Sequence, residues 1–200
     1  MLILYIIGGI LILPVIYNLL FPLKKPELNN YFKAGQTYTS TGEGITQKIL
    51  RQEGNKVFCE LTLAPHAAGP PEHMHEHMHE TISVVSGTLN YKLNGKEEQV
   101  GAGGRINFPA GAYHKMWNTT NNEVVLRSEK PEDFVPVEFV YSLDQLYPLM
   151  QSNGLTLKMF AKICVLDELF DSVPVGPPPV FFRIIKKVVK PYARIFGVKP

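Results

Sequence analysis

The sequence predicts a mainly β protein: a small antiparallel jelly-roll barrel, preceded by a membrane-spanning helix and followed by C-terminal helices. Three observations carry this. Short alternating runs with strong β-formers recur from Gly35 to Ser128 at about eight-to-twelve-residue spacing, separated by Gly, Asn and Pro turns. Met1 to Leu23 holds no charged residue. Beyond Pro136 the apolar residues fall at helical spacing. These divide the 200 residues into a span over 1–23, a linker over 24–34, a barrel over 35–136 and a helical extension over 137–200.

The first element is read as an uncleaved anchor. Twenty-three residues make about 35 Å of helix, enough to cross a bilayer. A cleaved signal peptide would need a basic start and a small-residue cleavage site, and neither is present. A buried soluble helix fits less well, because the run is apolar all round. Lys24 and Lys25 follow the span with no basic side chain before it, which assigns the rest of the chain to the cytoplasmic side. The expected localisation is therefore a single-pass membrane protein.

The barrel strands follow in order. Gly42-Glu-Gly44 and Glu53-Gly-Asn55 are turns around the strand beginning Ile45 to Leu50, and Val57 to Leu63 alternates. Thr81 to Ser86 is closed by Gly87. Asn94-Gly95 joins Thr88–Leu93 to Lys96–Val100, a strong hairpin signal. Arg105 to Pro109, His114 to Asn118 and Glu123 to Ser128 complete the series. In the extension, Asn153-Gly154 reads as a helix stop and Leu155 to Phe170 as a helix. Val173 to Pro179 is a Pro-rich connector. Phe181 to Phe196 reads as a basic amphipathic helix kinked at Pro191. Its apolar face comprises Phe181, Ile184, Ile185, Val188, Tyr192 and Ile195. That helix either packs on the barrel with a solvated lysine face or lies against membrane lipid.

Net charge is +2, and no basic cluster is interleaved with aromatics in the middle of the chain, so nucleic acid is not an expected partner. Cys59 and Cys164 form no CxxC pair and are expected to be buried free thiols.

The chemistry concentrates in Pro71 to Thr81, which carries four of the six histidines. His73 and His75 share strand parity and so one face. Glu80 has the other parity and joins them only across a turn, which Glu76 to His79 supplies. His114 begins a separate strand. Imidazoles with a carboxylate suit one divalent transition metal: Fe, Mn, Ni, Cu or Zn. An alternative frame uses His75 and His77 with Glu80, and a histidine-rich loop can also capture metal adventitiously.

Two spaced motifs carry a resemblance. His73-Met-His75, four residues, Glu80, six residues and Gly87 is similar to the first motif of the cupin superfamily. Gly103, five residues, Pro109-Ala-Gly111, two residues, His114, three residues and Asn118 is similar to the second. Gly69 stands nearer His73 than the opening glycine of the first motif. The tail more loosely resembles that of a bacterial cupin subgroup of unassigned function. The resemblance implies a cupin-type jelly roll, with His73, His75, Glu80 and His114 as metal ligands. Gly87, Pro109, Gly111 and Asn118 then become turn and strand-end positions. It implies a metal-dependent dioxygenase or isomerase acting on a small molecule, or a module that binds a small ligand without changing it. A homodimer formed through the sheets also follows from the resemblance.

Overall fold

The computed structural model describes residues 12–151, 155–176 and 178–200. Two antiparallel sheets face each other. The first is ordered β1 (Thr37–Ser40), β2 (Ile45–Glu53), β3 (Lys56–Leu63), β10 (Val124–Arg127), β5 (Glu80–Ser86), β8 (Arg105–Phe108), with β11 (Val135–Pro136) also on β3. The second is ordered β12 (Val173–Pro174), β4 (His73–Met74), β9 (His114–Trp117), β6 (Thr88–Leu93), β7 (Lys96–Gly101). The β6–β7 hairpin turns at Asn94-Gly95, both at positive φ.

Alternation puts Ile45, Leu63, Ile82, Val84, Leu89, Phe108, Met116, Val124 and Leu126 into one buried cluster between the sheets. The chain passes from β5 in one sheet to β6 in the other at Gly87. Its φ is +82°, and a Cβ there would lie 2.7 Å from the Glu123 carbonyl oxygen, so glycine is required.

Helices cover the other end of the barrel. Helix α2 is Val137–Leu146, α3 is Leu157–Leu166 and α4 is Pro179–Ile195; one-turn 3-10 segments follow α2 and α3. Thr156 caps α3 by accepting from the Met159 N–H at 3.1 Å. A second cluster unites the barrel residues Ile49, Val57, Cys59 and Met74 with Val140, Leu146, Tyr147, Ile163, Leu166, Val173 and Phe182. The extension thus shares a core with the barrel. The helix stop expected at Asn153-Gly154 lies outside the described residues.

Two expectations are corrected. The described part of the apolar N-terminal run is a helix over 12–20, here α1, and the earlier part of Met1–Leu23 lies outside the described residues. Nine helical residues reach about 14 Å, against roughly 30 Å of hydrocarbon. Among the described residues no helix is long and apolar enough to cross a membrane. The transmembrane helix, the single-pass localisation and its cytoplasmic side therefore fall. At the last turn of α1, Arg194 donates to the Asn18 side chain and lies over Tyr17, and just beyond the helix it donates to the Phe21 carbonyl.

Helix α4 also docks otherwise than its pattern suggested. Phe182, Lys186, Pro191 and Ala193 are buried, while Phe181, Ile184, Val188 and Ile195 are exposed. The reason is Asp167, just after α3, whose carboxylate takes Lys190 at 2.8 Å and Lys186 at 3.9 Å. These lysines turn their side of the helix inward. The helix runs through Pro191 without a break.

Candidate metal centre

The register of the second sheet builds the site. On β4, His73 lies directly opposite His114 on β9. His75 follows β4, where its carbonyl accepts from the Gly111 N–H at 2.7 Å. Glu80 opens β5 in the facing sheet. Ring centroids are 4.5 Å apart for His73 and His114, 4.9 Å for His73 and His75, and 5.1 Å for His75 and His114. One nitrogen from each of the three lies within 4.8 Å of those of the others, a group that could hold a metal ion. The Glu80 carboxylate is 3.1 Å from His114 Nε2 and 3.5 Å from His75 Nε2. The structure therefore gathers all four candidate residues.

Backbone carbonyls orient the rings. His73 Nδ1 donates to the Pro71 carbonyl at 2.8 Å, His114 Nδ1 to that of Ala112 at 3.0 Å, and His75 Nδ1 to that of Asp171. With Nδ1–H so committed, a neutral ring presents a lone pair at Nε2. Two of these nitrogens face a carboxylate. Lone pairs and a carboxylate repel one another unless a cation lies among them, and a proton or a metal can be that cation. Three imidazole nitrogens and one carboxylate oxygen fit a divalent transition metal.

The electrostatics follow. Burial pushes His73 down to about 4, helped by the neighbouring His75 and His114. Burial opposes charge on His75 too, but the Glu80 carboxylate outweighs it and raises His75 above its ordinary value. Burial would raise Glu80, yet hydrogen bonds from His114 and His75 hold it well below the usual carboxylate range.

Apolar rings enclose the group. Phe108 stacks on His114 at 4.4 Å, and Phe139 of α2 meets His75 edge-on at 5.0 Å. Phe170 in turn stacks on Phe139 at 5.8 Å. Behind Glu80 lies a cavity of about 30 Å³, bordered by Cys59, Met78, Ile82 and Phe134. Cys59 and Cys164 are both buried free thiols. Burial pushes the Cys59 thiol up to about 12 and Cys164 to about 11, so neither offers a thiolate.

The remaining histidines stand apart. His77 and His79 are exposed on the turn before β5, and His66 Nε2 lies 2.8 Å from the Asn121 side-chain oxygen. The frame using His77 loses its geometric basis. Sequence reasoning missed Asp171, Phe139 and Phe170. They stand at no fixed spacing from the motifs, and no local pattern marks them.

Residues 59–128 match the family model described as "Cupin domain". A search of curated proteins finds no match. Among solved structures, the Cnp3 cupin domain of Schizosaccharomyces pombe is 15% identical at a TM-score of 0.40. That match covers 46% of this chain and 64% of the other, so this chain spans less than two thirds of it. A predicted oxalate decarboxylase from Thermotoga maritima is 20% identical, TM-score 0.42, with 48% and 90% covered. The polyketide cyclase RemF from Streptomyces resistomycificus is 24% identical, TM-score 0.39, with 55% and 82% covered. These structural likenesses are partial and do not bear on activity. Residues 59–128 are thus a cupin domain.

Proposed function

We propose that His73, His75, His114 and Glu80 hold one divalent transition metal, and that the protein uses it as a metal-dependent enzyme of dioxygenase or isomerase type on a small molecule. The observation that supports this is the convergence of three carbonyl-oriented imidazoles on one buried carboxylate. Such a metal, when bound, supplies Lewis-acid or oxygen chemistry at coordination positions the protein leaves open. The chain's own residues do the rest. The Pro71, Ala112 and Asp171 carbonyls fix the tautomers. Phe108 and Phe139 limit water around the imidazoles. Burial also raises Tyr147, keeping it a neutral donor to Gln47 at 3.2 Å.

Metal content of the full chain, purified without a histidine tag, tests the reading. About one equivalent of one transition metal, lost in both His75→Ala and His114→Ala, is the expected result. Metal retained in His114→Ala would mean that the histidine-rich loop binds alone, and the proposal would fail. A second reading is that the same residues hold the metal and a small ligand binds there without turnover. A ligand that binds the metal-loaded protein and is recovered unaltered after long incubation would decide for that reading.

A further inference from the structure

One residue of the C-terminal extension handles the first-motif loop at four successive positions. The Asp171 carbonyl accepts from His75 Nδ1. Its carboxylate accepts from the Glu76 N–H at 2.8 Å, the His77 N–H at 3.0 Å and the Met78 N–H at 2.9 Å. The neighbouring residues continue the hold. Val173 and Pro174 pair with Met74 and His73 as β12 on β4, and the Val175 N–H donates to the Glu72 carbonyl at 3.1 Å. Arg183 of α4 reaches Glu76 at 3.0 Å.

Such a hold is needed because β4 is only two residues long. Past Met74 the chain has no sheet partner until β5 resumes at Glu80. The backbone donors of Glu76, His77 and Met78 would otherwise seek water, and the loop that carries His75 would be free to rearrange. An ionised carboxylate that takes three backbone N–H groups makes charge-assisted bonds, stronger than those to a neutral acceptor. The same residue's carbonyl then sets which nitrogen of His75 carries the proton.

We infer that Asp171 is a positioning residue for the candidate metal centre, its carboxylate clamping residues 76–78 while its carbonyl aims His75 Nε2 at the site. This rests on the metal-binding reading above. The extension thus supplies one of the three carbonyls that orient the imidazoles, together with the carboxylate clamp, and the barrel supplies the other two carbonyls, Pro71 and Ala112.

The test is a Co(II) titration of the full-length protein, followed by visible absorption, for the wild type, Asp171→Ala, Asp171→Asn and Lys190→Ala. Circular dichroism of each variant checks folding. Asp171→Ala keeps the backbone carbonyl but releases residues 76–78, and should weaken Co(II) binding by about 10–100-fold, the range seen when the support of a ligating histidine is lost. It should also alter the ligand-field bands, because His75 no longer holds one orientation. Asp171→Asn keeps one acceptor oxygen and should fall between the two. It also serves as the folded probe if Asp171→Ala does not fold. Lys190→Ala breaks the α4 pairing with Asp167 and should leave affinity and spectrum as in the wild type. Wild-type affinity and bands in the folded Asp171 variants would overturn the inference while leaving the metal site standing. Equal weakening in Lys190→Ala would also overturn it, since general loosening of the extension would then explain the loss. A wild type that takes up no Co(II) would instead bring down the metal reading itself.

Discussion

His114 and His75 face the same point but are held by different parts of the molecule. His114 sits on a four-residue strand in register with β6 along its whole length, and its ring stacks on Phe108 of the barrel. His75 sits beyond a two-residue strand, and it is fixed by Asp171, Phe139 and β12, all from the extension. The first candidate ligand belongs to a sheet of the barrel. The second belongs to a loop that the barrel leaves half supported. The two sheets therefore bring the candidate ligands near one another, while the extension holds one of them through hydrogen bonds.

The predictions test that division, beginning with the largest effect. His114→Ala and His75→Ala should each reduce metal uptake at least about 100-fold, read by elemental analysis, since each removes one donor of the set. Near-stoichiometric metal in either would undo the comparison at its root. Gly87→Ala strikes the barrel alone. Forcing a Cβ against the Glu123 carbonyl at φ +82° should cost about 2–4 kcal/mol in urea unfolding. An unchanged unfolding midpoint would mean that the crossing between sheets is not tight there.

Asn118→Ala sharpens the barrel side further. Its amide nitrogen serves the Ala64 and Asn122 carbonyls at 2.9 and 2.7 Å, and its oxygen accepts from the Thr120 N–H at 2.9 Å. Losing these buried partners should cost about 1–3 kcal/mol of stability. Metal stoichiometry should be kept, which separates a structural motif position from a ligand.

A pH series probes His75. The Glu80 carboxylate raises its pKa, so a proton competes with the metal to higher pH than at an ordinary imidazole. Metal affinity should therefore rise by about tenfold per pH unit below that pKa and level off above it. His73, pushed down to about 4, does not compete above pH 5. A flat isothermal-titration profile from pH 5.5 to 8 would contradict this. The smallest effect belongs to Arg183→Ala. This half-exposed pair with Glu76 should change stability by less than about 1 kcal/mol and metal affinity by no more than a few-fold.

Much of the barrel was legible in the sequence because period-2 alternation and turn chemistry are local. Asn94-Gly95 marked its hairpin, and the runs at Val57–Leu63 and Thr88–Leu93 became strands within a residue of their expected ends. The four candidate ligands were legible through the resemblance to the two cupin motifs. Two motifs at fixed spacing, each tied to a turn at Gly87 or Gly111, carry their own geometry. The misreadings came where local pattern competes with a distant partner. Met1–Leu23 reads as a span by composition, yet the described part is a short helix whose end is met by Arg194. The α4 pattern assigns the lysines outward, yet Asp167 draws Lys186 and Lys190 in.

By itself the sequence determined the strand series and the closing glycine at Gly87, because each depends on backbone sterics or spacing within a few residues, while the candidate ligands came through motif resemblance. Only the tertiary structure decided that His73 stands opposite His114, that Glu80 closes on two of the nitrogens, and that Asp171 reaches back about a hundred positions to the loop at His75. Those contacts arise when two sheets and an extension share one core. Burial and hydrogen-bond satisfaction across the whole chain select them, and no local pattern encodes that selection.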